Sequence, residues 1–186
     1  MPTTFEELEQ WMQVPKETEG LEFKKAKDNY SGEKLMNYCV AIANERGGKF
    51  ILGVTDDLPR KVTGTNAVSN CQGMQRKILD TLRFDVRVEE LQHPDGRVVI
   101  FHIPSRPIGM ALEYKGKYLM RSGEDLRPMP PERLRAIFDE GKPDWLMQAT
   151  REHLLPERCS ASLGHGGLSS DAGVALSSPK RNTQPF

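Results

Sequence analysis

The chain has 186 residues, 37% hydrophobic and 28% charged, with a mean hydropathy of −0.57; it is long enough for one ordinary domain plus an extension. Its 26 basic and 26 acidic residues cancel, so it lacks the positive balance typical of sequence-independent nucleic-acid binders, and any basic surface has to be local. No apolar run approaches the ~20 residues of a membrane span, and the acidic N-terminus has no secretory layout. Cys39, Cys71 and Cys159, like the four histidines, are too dispersed for a disulfide framework or a zinc spacing, which points to a reducing, cytoplasmic setting.

Thr4 and Glu7 form a capping box ahead of a short helix with Phe5, Leu8 and Met12 on one side. Residues 21–24 alternate, which predicts a strand with Leu21 and Phe23 toward a core and Glu22 and Lys24 on the outward face. A helix is expected from Ser31 through Arg46, with Leu35, Cys39, Ile42 and Ala43 as its buried stripe and Gly47 as a left-handed stop. Phe50 to Val54 is a nearly continuous apolar run, the pattern of a central strand. A second long helix is expected over 67–83. Two strands near 86–91 and 97–103 follow, joined by His93-Pro94-Asp95-Gly96, a hairpin signal. A further pair, 110–114 and 117–121, should turn at Lys115-Gly116, and a last helix should run from Pro130-Pro131 to Gly141. The fold class is α+β, a mixed sheet with antiparallel hairpins flanked by helices. Residues 1–14 read as an N-terminal helix, 15–141 as the main domain and 142–155 as a linker or helical extension. From 156 to 186 the Ser-, Gly- and Pro-rich composition predicts a disordered tail.

Glu17, Glu22 and Asp56 are the acids placed for chemistry. Glu22 opens the outward strand face and Asp56 follows the central strand. Convergence of Glu17 with Glu22 needs a bend, which Gly20 permits. Three such carboxylates repel unless a divalent cation holds them, and Mg²⁺ or Mn²⁺ held this way acts on phosphodiesters. Lys24 would neutralise phosphate charge. The alternative is a set of solvated surface charges. Asn44-Glu45-Arg46-Gly47-Gly48-Lys49 has glycines after a helix and lacks the Gly-Lys-Ser/Thr ending of a nucleotide loop, so a helix stop accounts for it. Arg121 beside Ser122-Gly123 reads either as a phosphate contact or as an exposed turn arginine. Lys24, Lys25, Lys27, Arg121 and Arg127 are the candidate nucleic-acid contacts, since a neutral total requires concentrated local charge. Trp11, Tyr38 and Phe138 fall on helical stripes and read as core.

Glu17-Thr-Glu-Gly-Leu-Glu22-Phe-Lys24, Ala41-Ile-Ala-Asn44-Glu-Arg-Gly47-Gly48-Lys-Phe-Ile-Leu-Gly53-Val-Thr-Asp56, then Gly64 and Tyr118-Leu-Met-Arg121-Ser-Gly123, together resemble the Alba-like domain of Schlafen proteins over about residues 15–140. The resemblance implies a nucleic-acid-binding domain. Vertebrate Schlafen proteins are RNases that cleave tRNA and rRNA with three acids, and position by position these fall on Glu17, Glu22 and Asp56, with the supporting lysine at Lys24. The implied function is a metal-dependent endoribonuclease using Mg or Mn on structured RNA such as tRNA, with Glu17, Glu22 and Asp56 as metal ligands. The family also supports two alternatives, a non-catalytic DNA-binding or transcription-regulating module and an ATP-binding domain of the divergent ATPase-like type. The vertebrate core joins two lobes and carries a Cys/His zinc site. This chain has one lobe and no such site, so a homodimer is expected to supply the second lobe.

Overall fold

Phe50, Ile51 and Leu52 are all fully buried, because the strand they form has a neighbour on each side and a layer on each face. The computed structural model describes residues 2–15, 20–123 and 125–141, which belong to a compact unit running Met1–Pro143. The expected linker at 142–155 and tail at 156–186 lie outside the described residues. In chain order the elements are α1 (Phe5–Met12), β1 (Leu21–Lys24), α2 (Gly32–Asn44), β2 (Gly48–Leu52), α3 (Cys71–Leu82), β3 (Arg87–His93), β4 (Gly96–Ile103), β5 (Leu119–Ser122), β6 (Asp125–Pro128) and α4 (Pro131–Asp139). Four strands form a mixed sheet in the order β1-β2-β4-β3, and β5-β6 is a separate two-stranded ribbon. β1 runs parallel to β2, whereas β2 with β4 and β3 with β4 are antiparallel. The fold is α+β, as the element pattern requires.

Alternation along the strands sorts the core into two layers. Leu21, Phe23, Ile51, Val54, Val98 and Ile100 pack with Leu8 of α1 on one face. Phe50, Leu52, Val99 and Phe101 pack on the other with the buried stripe of α2, Leu35, Cys39, Ile42 and Ala43, and with Ile78 and Leu82 of α3. Burial without a charged neighbour pushes the Cys39 thiol up to about 12, so it behaves as an apolar side chain. Among the described residues no helix is long and apolar enough to cross a membrane.

The local signals explain most boundaries. Thr4 and Glu7 complete the capping box of α1, and Ser31 caps α2 by accepting from the Lys34 amide. The left-handed stop of α2 begins one residue earlier than expected, with φ 84° at Arg46 and 80° at Gly47. A side chain at Gly47 would put its Cβ 2.6 Å from the Ile103 carbonyl, and one at Gly48 would lie 2.0 Å from the Gly20 carbonyl. Both glycines therefore serve close backbone packing. α3 starts at Cys71 and not at 67, because Asn70 caps it by accepting from the Gly73 amide at 2.7 Å; such a side chain favours the cap over a helix interior.

The strand pair expected at 110–114 and 117–121 is corrected. The turn is present, with positive φ at Lys115 and Gly116 and an isolated Tyr114–Lys117 bridge. The ladder stops there. The buried Asn44 amide donates to the Leu112 carbonyl at 3.0 Å and the Leu119 carbonyl at 2.9 Å, and its oxygen accepts from the Leu112 amide at 2.9 Å. One side chain thus satisfies main-chain groups that a ladder would have paired. Leu119 to Ser122 pairs onward with 125–128 instead.

Candidate functional site

β1 carries Glu22 and Lys24 on the face opposite Leu21 and Phe23, as alternation dictates. That face is not outward. The register sets Glu22 beside Phe50 and Lys24 beside Leu52, and Arg121 of β5 and Tyr38 of α2 meet Glu22. Glu22 is only 1% exposed, which corrects the expectation of a solvated strand face. Its carboxylate is held by two cations: Arg121 Nη2 lies 2.6 Å from Glu22 Oε2, and Lys24 Nζ lies 2.8 Å from Glu22 Oε1. Lys24 Nζ also donates to Asp56 Oδ2 at 2.6 Å. Asp56 comes from the loop after β2, and its other oxygen accepts from the Lys25 amide at 3.2 Å.

Among the described residues two carboxylates thus face one ammonium and one guanidinium, and their charges cancel. Burial alone would lower the pKa of Lys24, but its hydrogen bonds to Asp56 and Glu22 outweigh that and raise it. Tyr38 of α2 stands beside the cluster, with the Arg121 guanidinium 5.9 Å from its ring centre. Burial and the Glu22 charge push its phenol up to about 12. Tyr30 is raised in the same way, first by burial. Both rings pack on Phe50, at 5.4 Å for Tyr30 and 5.1 Å for Tyr38, so the expected core role of Tyr38 extends to the wall of this cluster.

Three of the four expected catalytic residues, Glu22, Lys24 and Asp56, therefore meet. Glu17 lies outside the described residues. Arg121, expected at a turn surface, is instead fully buried, pairs with Glu22 and also donates to the Gly123 carbonyl at 3.0 Å. Arg127 is exposed on β6, beside Asp125 at 3.3 Å. Lys25 and Lys27 are exposed on a segment whose main chain is fixed residue by residue. The Lys24 carbonyl accepts from Gly53, the Lys25 amide donates to Asp56, the Ala26 carbonyl accepts from the Thr65 hydroxyl, and the Lys27 carbonyl accepts from the Asn66 amide.

Among the described residues no three metal-ligating side chains converge. The donor set as it stands does not fit a divalent ion, because Glu22 has one oxygen on Arg121 and the other on Lys24, and Lys24 also takes an oxygen of Asp56. Sequence reasoning missed the Glu22–Arg121 pair and the Asn44 staple. A signal for the first was present: a parallel neighbour of a strand as apolar as Phe50-Ile51-Leu52 is itself covered on both faces, so a charge on it needs a buried partner.

The sequence profile of the family described as Schlafen, AlbA_2 matches residues 17–130. The chain belongs to this family. Its fold is similar to that of the DIP2311 protein from Corynebacterium diphtheriae, at 17% identity and a TM-score of 0.53 over 67% of this chain. The chain spans about a quarter of that protein, 24% of its length. The N-terminal domain of a DNA helicase RecG-related protein from Nitrosomonas europaea also matches, at 18% identity over 57% of this chain and 84% of that one, with a TM-score of 0.36. No curated protein sequence matches the chain.

Proposed function

We propose that this Schlafen-family domain binds nucleic acid through the phosphate backbone, with Lys25 and Lys27 as the leading contacts and Arg127 as an outlying one. The observation that carries the reading is the fixed segment 24–27, whose main chain is tied at four successive residues while two lysines point to solvent. Cations mounted on a rigid backbone lose less freedom on engaging a phosphate than cations on a loose loop. A neutral chain with one such segment is suited to positioning a strand, not to coating it. Family membership supports the same ligand class.

The second reading is a metal-dependent endoribonuclease acting on structured RNA such as tRNA. The meeting of Glu22, Lys24 and Asp56 favours it. It ranks second because both carboxylates are already engaged by Lys24 and Arg121. For either reading we infer a homodimer, since one lobe offers too little concave surface to enclose a structured RNA. Light scattering at tens of micromolar should report twice the chain mass, with or without RNA.

Labelled tRNA and a DNA duplex, each incubated with the protein in Mn²⁺ or in EDTA, test both readings. Binding that weakens steeply with salt and leaves both nucleic acids intact is the expected result. Cleavage of tRNA that EDTA stops and Asp56→Ala abolishes would put the nuclease first. No binding to either at low salt would overturn the proposal.

A further inference from the structure

We infer that Lys24 is the resident cation of the Glu22–Asp56 pair, and that its ammonium fills the position a divalent ion would need. The distances carry this: Nζ lies 2.8 Å from Glu22 Oε1 and 2.6 Å from Asp56 Oδ2. An ammonium has three donors and no acceptor, so it can bridge two carboxylates as a small metal ion would. A magnesium or manganese ion on the same two oxygens would stand about 2–2.2 Å from each, within contact distance of Nζ. Two cations cannot share that space.

The main chain of Lys24 is fixed, and its ammonium is held by the two carboxylates. Lys24 is locked in the sheet opposite Leu52, and its carbonyl accepts from the Gly53 amide at 2.9 Å. Glu22 is equally fixed, being 1% exposed with its second oxygen on the fully buried Arg121. Among the described residues two positive and two negative groups already cancel, so an added divalent ion would leave these four with a net charge of about +2 in a site closed to water on the Glu22 side. Among the described residues the cluster opens to solvent at Asp56, whose side chain is 43% exposed, and at Lys24, 24% exposed. The cluster thus carries its own counter-ion, tethered to β1, and takes up a divalent ion only when that charge is removed.

The inference concerns the same cluster as the proposed function but does not depend on nucleic acid being the ligand, so its test contains none. Wild type, Lys24→Met, Lys24→Gln and the double variant Lys24→Met/Asp56→Asn are melted with and without millimolar Mn²⁺, and bound Mn²⁺ is counted by electron paramagnetic resonance. The wild type should show no gain in Tm and no bound ion. The two single variants should melt lower without metal, regain several degrees in Mn²⁺, and bind one ion per chain. The double variant should lose that gain. A wild type that binds Mn²⁺ as the single variants do would overturn the inference. So would a folded Lys24 variant that binds none. Lys24→Gln is included as a second uncharged variant, polar where methionine is not, should the methionine variant fail to fold.

Discussion

The two faces of β1 are both buried, yet they are held by opposite means. On the α1 side, Leu21 and Phe23 meet Ile51, Val98 and Ile100 in an apolar layer, with the buried Arg60 guanidinium 4.6 Å from the Phe23 ring centre and donating to the Met12 and Val14 carbonyls, and with Glu89 at the rim accepting from Thr3 and meeting His102 at 2.9 Å. On the α2 side, one residue along the same strand, Glu22 sits among Phe50, Tyr38 and Arg121 and survives burial only through its cations. An apolar face tolerates substitutions of similar volume, whereas a buried ion pair tolerates loss of both partners better than loss of one. The stable scaffold and the chemically distinctive cluster thus share a single four-residue strand.

The contrast is sharpest in a mutant cycle. Arg121→Ala leaves Glu22 buried with half its compensation and should cost about 3–5 kcal/mol, read as a lowered denaturation midpoint. Glu22→Leu combined with Arg121→Leu should cost clearly less than Arg121→Ala alone. Phe23→Ala on the other face should cost a similar 3–5 kcal/mol through a cavity, but no second substitution at Arg121 should relieve it. Equal, additive losses at Glu22 and Arg121 would mean that the pair does not act as a unit.

A smaller effect is expected at Asn44. Asn44→Ala strips the Leu112 and Leu119 main-chain groups of their partner and should cost about 1–3 kcal/mol. Hydrogen exchange should rise first at Leu112, since its amide bonds to Asn44 Oδ1. Exchange unchanged there would show that the loop is held by other contacts.

The pH limbs separate the two faces further. Burial would raise the pKa of Glu89, but the bonds from Thr3 and His102 outweigh it and leave the carboxyl below its ordinary value of 4.5. A group lowered on folding stabilises above its unfolded pKa and loses that contribution as pH falls through the folded one. Stability should therefore decline below about pH 4.5, and Glu89→Gln should flatten part of that limb. Lys24 is raised on folding, so its contribution is complete below about pH 10.4 and is lost only in stronger alkali. The Lys24 ammonium should accordingly keep its charge from pH 6 to 9, and a polyanion affinity that varied strongly within that range would point to another group.

Much of the scaffold was legible from period and punctuation. The capping box at Thr4 and Glu7, the Ser31 cap, the His93 to Gly96 turn and the proline start of α4 are local signals, and the structure uses each of them. What local signals could not convey is which side chains replace a ladder or a solvent shell. Alternation in Leu21-Glu22-Phe23-Lys24 separates two faces correctly but does not say that both are covered, because the cover comes from α2 and β5, up to about a hundred residues later. Arg121 read as a turn cation for the same reason. Its partner lies in another strand, and only the tertiary fold brings the two together.

The most direct test of the account is the salt dependence of tRNA and duplex binding by the wild type and by Lys25→Gln/Lys27→Gln. Each lost phosphate contact should reduce the slope of log affinity against log salt by about 0.7 on single strands and 0.9 on B-form DNA, while the melting temperature stays unchanged because both side chains are exposed. A slope equal to that of the wild type in both ligands would remove the fixed 24–27 segment from the interface and contradict the proposed function.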